Sequence, residues 1–559
     1  MVTAENNTQY THTVSTMTTN EQIFVPQYSI VELAEKRDAN RQTKGSHALV
    51  DKCPAVLEAF ATTYGHSPHF IAHSPGRANL IGEHIDYSDF SVLPLPLERD
   101  MLCAVRALPV SETQNPSVTL TNAQPERFAG RRFDLPLDGT QVTIDPSVSD
   151  WSNYFKCGLY VAQLYLKEIC PERYCSKPLC GMEVLCQGDV PVGSGLGSSA
   201  AIICAVTLAV IRANMGAQYK VPKADLLRIT STAEHYVGVS NGGMDQAASI
   251  YGLRGHALRV DFKPQLTATP VEFPHMGHNW DIEFIVADTL VEVNRYDTAS
   301  TNYNLRVVEM LIGANILARY YGVAMNYDLS SNVRKGNLSD FMNAYLGLHR
   351  AQLDFEVNSS IDSRIRQLRL MLELVEECLG THKDGSSADE VSKALECSRE
   401  EFTREYLMLF PIRFQVLHIY SRAKHIYSEA LRVMQTLKLF AETNEHNRDF
   451  TFYTEFGKLM NESQRSCDKL YDCSSPEIDK VCQIAQNNGA YGSRLTGAGW
   501  GGSTVHLVPN GPNGCNVEHV KRALIEDYYK VQYPDITQEA LDNAIIVSKA
   551  APGSCILEC

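Results

Sequence analysis

Gly193, Gly195 and Gly197 stand at every second position in "GDVPVGSGLGSSAAIICAV", the stretch from Gly188 to Val206. Ser198, Ser199 and an apolar run follow at once. Glycine tolerates positive φ and has no Cβ, so successive backbone N–H groups can turn into one concavity. A helix beginning at about Ser198 would add its unpaired N–H groups and the positive end of its dipole. Together these bind phosphate, and the two serines could donate to it or hold Mg²⁺. A tight turn with serine caps explains the same letters, and the loop alone leaves both readings open. It lacks the GK[ST] ending of a P-loop and the acidic residue of a Rossmann turn.

Three further constellations could do chemistry. In "SPGRANLIGEHIDYSDFSVLP", Arg77, Glu83, His84 and Asp86 stand within ten residues. Carboxylates interleaved with an imidazole suit a sugar, whose hydroxyls each need a donor or an acceptor. Charged residues on a loop are otherwise simply solvated. In "AEHYVGVSNGGMDQAAS", Asp245 follows two glycines, as a helix cap or a functional carboxylate, and Glu234 on the preceding helix could reach a metal. Gly492 and "SRLTGAGWGGSTVHLV" crowd five glycines (492, 497, 499, 501, 502) around Arg494 and Trp500. This is a close approach to a ligand or another loop, or else the corner of a hairpin.

The elements that must position these groups follow from periodicity. "HFIAHS" and "MLCAVRAL" read as strands with a polar segment between them, and "GMEVLCQGDV" as a strand feeding the glycine loop. "AAIICAVTLAVIRANM" is apolar almost all round and predicts a buried helix. "VPKADLLRITSTAEHYVG" predicts a second helix, "IEFIVADTLV" a strand, and "IDSRIRQLRLMLELVEECL" and "AKHIYSEALRVMQTLKLF" amphipathic helices. The charged stretch 381–390 predicts an exposed loop, and the Thr/Asn-rich residues 1–24 a disordered tail. Strands and helices mix without βαβ alternation, so the class is α+β.

The bulk numbers exclude some functions. The chain has 559 residues, enough for two lobes, and a formal net charge of −15. That argues against nucleic acid or an anionic membrane as the main partner. No apolar leader opens the chain and no apolar run approaches the roughly 20 residues of a membrane span, so a cytoplasmic protein is expected. Its sixteen cysteines are then expected as reduced thiols. The spacing of Cys170, Cys175 and Cys180 does not match a zinc site.

The four motifs, in this order, resemble a small-molecule kinase of the GHMP superfamily, and specifically a galactokinase, from about Phe70 to the C-terminus. "HIDYSDFSVLPL", "DPSVSDWSNYFKCGL", "STNYNLRVVE" and "RFQVLHIYSRAKHIYSEALRV" resemble the fungal galactokinases and their galactose-sensing paralogues. The resemblance implies an N-terminal lobe (25–275) with a mixed sheet, a C-terminal lobe (276–559) with an antiparallel sheet, and an active site between them. It implies ATP and Mg²⁺ as cofactors and D-galactose as substrate, phosphorylated at O1. Arg77 and Asp245 match the catalytic positions. Glu83, His84, Asp86, Asn241 and Tyr303 match sugar-binding positions, with Arg77 and Asp245. Gly193, Gly195, Gly197 and Ser198 match nucleotide contacts. So does Asn294, beside Arg295 and Val293, which replace the lysine and serine of close fungal relatives. Ser199 and Glu234 resemble the superfamily's Mg²⁺ ligands. Gly197 stands where the nearest relatives carry serine. Two alternatives remain open: a sensor that binds galactose and ATP and captures a transcriptional repressor, and an N-acetylgalactosamine kinase. The family's dedicated sensor lacks a Ser-Ala pair after the glycines, whereas Ser198 to Ala201 is intact here.

Overall fold

The computed structural model describes residues 23–33, 48–109, 115–148, 150–237, 242–274, 281–291, 300–326, 335–409, 412–446, 451–511 and 515–559. The expected disordered tail lies almost wholly outside them. Among the described residues, thirteen strands form three sheets. They are β1 (Gln27–Ser29), β2 (Phe70–Ile81), β3 (Leu93–Leu108), β4 (Ser117–Asn122), β5 (Arg131–Asp134) and β6 (Gly181–Gly188), then β7 (His256–Asp261) and β8 (Thr267–Glu272). Next come β9 (Asp281–Asp288), β10 (Gly492–Thr496), β11 (Ser503–Asn510), β12 (Ile545–Ser548) and β13 (Cys555–Glu558). The first lobe is built on a seven-stranded mixed sheet of order β1-β13-β2-β3-β6-β4-β5, the second on a four-stranded antiparallel sheet of order β10-β11-β9-β12.

The helices that position the site are α1 (Ala48–Tyr64), α2 (Ser152–Ile169), α3 (Ser198–Met215), α4 (Lys223–Thr230), α5 (Met244–Tyr251) and α6 (Tyr303–Tyr320), with α7 (Ile419–His446), α8 (Thr451–Ser466) and α9 (Pro476–Asn487). Helix α3 is long and apolar enough to cross a membrane, yet thirteen of its residues are buried in the fold. It packs on α2 and on the β2–β3 pair. An all-round apolar helix is what a two-sided core position demands.

Four elements differ from the sequence reading. The polar segment after "HFIAHS" does not leave the sheet. β2 continues to Ile81 with all twelve residues buried, through register irregularities at Pro75/Arg77 and Asn79/Ile81. Such bulges re-aim side chains without ending the pairing. The expected helix over 221–238 stops at Thr230, and a 3₁₀ turn, Ala233–Val237, follows. There Thr230, Ser231 and Thr232 donate their hydroxyls to Leu226, Arg228 and Ile229 carbonyls, so side chains compete with the ladder. The stretch 381–390 already begins a helix, Ala388–Ala394, held by a Ser387–Glu390 capping box. The last strand, β13, crosses to the first lobe and lies between β1 and β2, although the expected division at 276 assigns it to the other lobe.

A buried polar cluster fastens that returning strand. His73 on β2 lies between the Cys555 sulfur, 3.7 Å from Nδ1, and the Asp100 carboxylate, 3.3 Å from Nε2. Lys52 on α1 reaches Asp100 at 2.9 Å and Asp189 at 3.0 Å. Burial opposes a charged imidazole, but Cys555 and Asp100 outweigh it and push the His73 pKa up to about 10. An unfolded imidazole titrates near 6.5, so the charged ring stabilises the fold fully below that pH and loses this contribution as the pH rises through about 10. We expect the fall in melting temperature from pH 7 to 10 to be shallower in His73→Asn than in the wild type. An equal slope would refute the assignment.

Candidate active site

The glycine loop delivers the chain into α3 through three left-handed residues, Gly193, Gly195 and Gly197, with φ of 81°, 78° and 75°. Gly197 is the N-cap, and Ser198 and Ser199 open the first turn half-buried. A Cβ on Gly197 would lie 3.3 Å from Arg77 Cγ and 3.5 Å from Asp245 Oδ2. The glycine serves mainly the left-handed backbone; a Cβ there would sit just above the two charged side chains, in tight contact with Arg77 and ordinary contact with Asp245. The second lobe closes on the loop from the other side: a Cβ on Gly497, in the β10–β11 turn, would meet the Gly195 carbonyl at 2.7 Å. The glycines of the fourth motif form a hairpin corner that touches the first motif backbone to backbone.

Arg77 and Asp245 form a two-toothed pair, Nε to Oδ1 at 2.7 Å and Nη2 to Oδ2 at 2.8 Å. Nη1 also donates to the Gly195 carbonyl, and the Arg77 amide to Leu196 at 2.9 Å. Arg77 is buried on β2, and Asp245 sits in the first turn of α5. One arginine thus ties β2, the glycine loop and α5 together.

Glu83 is buried and fully engaged. Oε2 accepts from Asn79 Nδ2 at 2.7 Å and Arg494 Nη1 at 2.9 Å, and Oε1 from the Gly497 amide at 2.6 Å. Burial pushes its carboxyl up, with Arg494, Arg77 and the Gly497 amide pulling down. Arg494 has no exposed surface and lies 3.9 Å from Glu429. Glu429 receives the Gly82 amide at 2.9 Å, Ser463 at 2.7 Å and Arg432 at 2.8 Å. Burial would raise its carboxyl, but Arg432 and Arg494 hold it well below the usual carboxylate range.

His84 takes a left-handed φ of 60°, and its Nε2 donates to the Ala498 carbonyl at 2.8 Å. Nδ1 is therefore the acceptor for the Tyr87 hydroxyl at 3.2 Å. Burial lowers its pKa to about 3, so the ring is neutral. Tyr471, Trp500 and Tyr303 surround it, with ring centroids 4.9, 5.6 and 5.9 Å away. Arg306 fixes two of these neighbours, donating to the Tyr471 carbonyl at 2.7 Å and lying over the Trp500 ring. Asp86 keeps part of its surface open, near Gly242 at the start of α5. Burial pushes its carboxyl up to about 6; the Tyr87 amide opposes the rise and Asp245 adds to it.

Three stretches of the chain match family models: residues 58–107 the galactokinase galactose-binding signature, 153–253 the GHMP kinases N terminal domain, and 448–530 the GHMP kinases C terminal. A galactokinase of Saccharomyces cerevisiae is 60% identical over 511 residues, covering 91% of this chain and 95% of that protein. The chain belongs to the galactokinase family. A galactokinase of Schizosaccharomyces pombe is 42% identical over 506 residues, covering 90% and 94%. The crystal structure of Lactococcus lactis galactokinase complexed with galactose shares the fold, with a TM-score of 0.57 at 23% identity over 90% of this chain and 99% of that one.

The family's sequence positions converge unevenly. Arg77, Asp245, Gly195, Gly197 and the start of α3 meet directly, and His84 and Tyr303 share one aromatic cluster. Glu234 lies on the 3₁₀ turn rather than on a helix, buried, where Gln246 donates to it at 3.1 Å. Asn241, Asn294 and Arg295 lie outside the described residues. Sequence reasoning missed Glu429, Arg432, His425 and Arg422, all on α7. His425 donates to the Glu83 carbonyl at 3.1 Å, and Arg422 to Glu309 at 2.8 Å. Their 3-4-3 spacing, a polar stripe on one helix face, was the available signal. Removing the centre of this network in Arg494→Met should cost about 3–5 kcal/mol, since buried carboxylates lose their partner. A urea-unfolding midpoint equal to that of the wild type would contradict this.

Proposed function

We propose that this chain is a galactokinase that transfers the terminal phosphoryl group of ATP to O1 of D-galactose, giving galactose 1-phosphate. The observation that carries this reading is the Arg77–Asp245 pair directly beneath Gly197, at the N-terminus of α3. A base for a hydroxyl and a cradle for phosphate thereby adjoin. Phosphoryl transfer asks the protein mainly to position groups and neutralise charge. The arginine uses one lone pair on each Asp245 oxygen, leaving others for the sugar hydroxyl. Asp245 takes the O1 proton as the new O–P bond forms, and Arg77 steadies the charge gathering on the transferred phosphoryl oxygens. The amides of the glycine loop and Ser198 hold the nucleotide phosphates.

Asp86, His84 and Tyr303 line the sugar side, and Glu83 acts from behind through its ties to Asn79, Arg494 and the Gly497 amide. Neutral His84 presents no charge to a neutral sugar. Ser199 and Glu234 suit Mg²⁺: one hydroxyl and one buried carboxylate, the sparse protein donor set this ion uses when phosphates supply the rest. Ser199 and Glu234 would hold an ion there, and it would supply neutralisation of the nucleotide phosphate charge.

Asp245→Asn should lower turnover about 10²–10⁴-fold while galactose still binds. ADP release and calorimetry read the two effects, and a near-wild-type rate in the variant would sink the base assignment. The raised Asp86 carboxyl predicts that kcat/KM for galactose declines as the pH falls through about 6, because the protonated acid loses its acceptor capacity. That acidic limb should vanish in Asp86→Asn. A limb unchanged in the variant would assign it to another group.

A further inference from the structure

Away from the glycine loop, a groove of about 860 Å³ opens between α8 and α9 on the second lobe. Three cations converge on it: Lys458 and Arg465 from α8, and Lys480 from α9. All three are exposed, and none has an ion pair or hydrogen bond to another described residue. One carboxylate lines the groove, Asp479, and its Oδ1 is occupied by Gln464 and Ser474 at 2.9 and 2.8 Å. The lining is therefore net positive within a protein of net charge −15. The first turn of α9 stands at the rim with Pro476; Ser475 caps it and Glu477 and Asp479 offset its positive end, so the positive character of the groove comes from the three side chains.

Behind two of the lining side chains, Asn461 and Gln464, lies the buried edge strand β10. The Ser493 amide donates to Asn461 Oδ1 at 2.9 Å and the Leu495 amide to Gln464 Oε1 at 2.8 Å, so side chains of the groove satisfy the strand's outward backbone groups. The same strand carries Arg494 to Glu83 and Thr496 to the Asn79 amide, at 2.9 and 2.7 Å. Whatever moves Asn461 or Gln464 acts on the strand that positions Glu83.

We propose that this groove is a second ligand site, for a compact phosphorylated metabolite carrying at least two negative charges, and that its occupancy is read at the sugar site through β10. Lys458, Arg465 and Lys480 supply point charges for separate phosphate oxygens. Gln483 and Gln486 line the same groove, and Gln486 Nε2 donates to Asn461 Oδ1 at 2.8 Å, which ties the lining to the residue that bonds β10. Binding and coupling are independent of which sugar is phosphorylated.

Fructose 1,6-bisphosphate is the probe, titrated calorimetrically into the full chain with galactose and ADP present to fill the first site. The expected result is one saturable event, weakened at least tenfold in the Lys458→Glu/Lys480→Glu double variant. That variant should melt as the wild type does and keep its galactose KM. In the wild type the probe should shift the galactose KM at least twofold and change hydrogen exchange at the Ser493 and Leu495 amides. Absence of saturable binding, or equal binding in the double variant, overturns the site. Binding that leaves the galactose KM and the β10 amides unmoved overturns the coupling.

Discussion

The Arg494 guanidinium, buried between two carboxylates from different parts of the chain, is the constraint on which the site rests. On its own β10 is a short edge strand of the second lobe. Through Arg494 it reaches Glu83 after β2 and comes within ion-pair range of Glu429 on α7. Arginine suits this position because its planar fork satisfies several acceptors at fixed angles while staying charged. A buried ion cluster of this kind contributes little net stability over an apolar core of equal volume. It does make wrong pairings expensive, since any register shift would strand a charge. Uniqueness of the lobe interface follows from that penalty.

A second constraint sits one layer closer to the ligands. Arg77 and the glycine loop compete for the same few ångströms, and the competition is resolved by leaving out side chains. Gly497 has no Cβ where the Gly195 carbonyl faces it at 2.7 Å, whereas at Gly197 a Cβ would touch Arg77 and Asp245 at 3.3 and 3.5 Å, close enough to fit with a small shift. The glycine-rich motifs are therefore opposite sides of one close contact. In the superfamily's wider sequence pattern they look like separate signatures because they lie on different lobes.

Much of this was legible in the chain. Alternating glycines before an apolar helix left a phosphate cradle and a capped turn both open, and Asp245 after two glycines read as a helix cap or a functional carboxylate; the order of four motifs, matched by the family models, is what pointed to a kinase. Other features were illegible for definite reasons. "SPGRAN" reads as a polar loop because an arginine inside a buried strand is normally intolerable, and its partner Asp245 lies 168 positions away. The helix through "RITSTAEH" is broken by three hydroxyls that bond their own backbone, a competition that helical periodicity does not register. Arg494 reads as one charge among glycines. Its meaning depends on Glu83, 411 positions earlier.

By itself, then, the sequence determined which chemistry was available: the backbone freedom for a phosphate loop, the carboxylates and arginine for phosphoryl transfer, and the apolar helix that must be interior. Those properties are local, set by residue type and spacing over a turn or two of chain. The tertiary structure alone decided which carboxylate meets which cation, which histidine is driven neutral, and that the last strand is held beside β2 by His73 and Asp100. Such outcomes depend on desolvation and on distances between residues hundreds of positions apart. Both arise only when the lobes have packed.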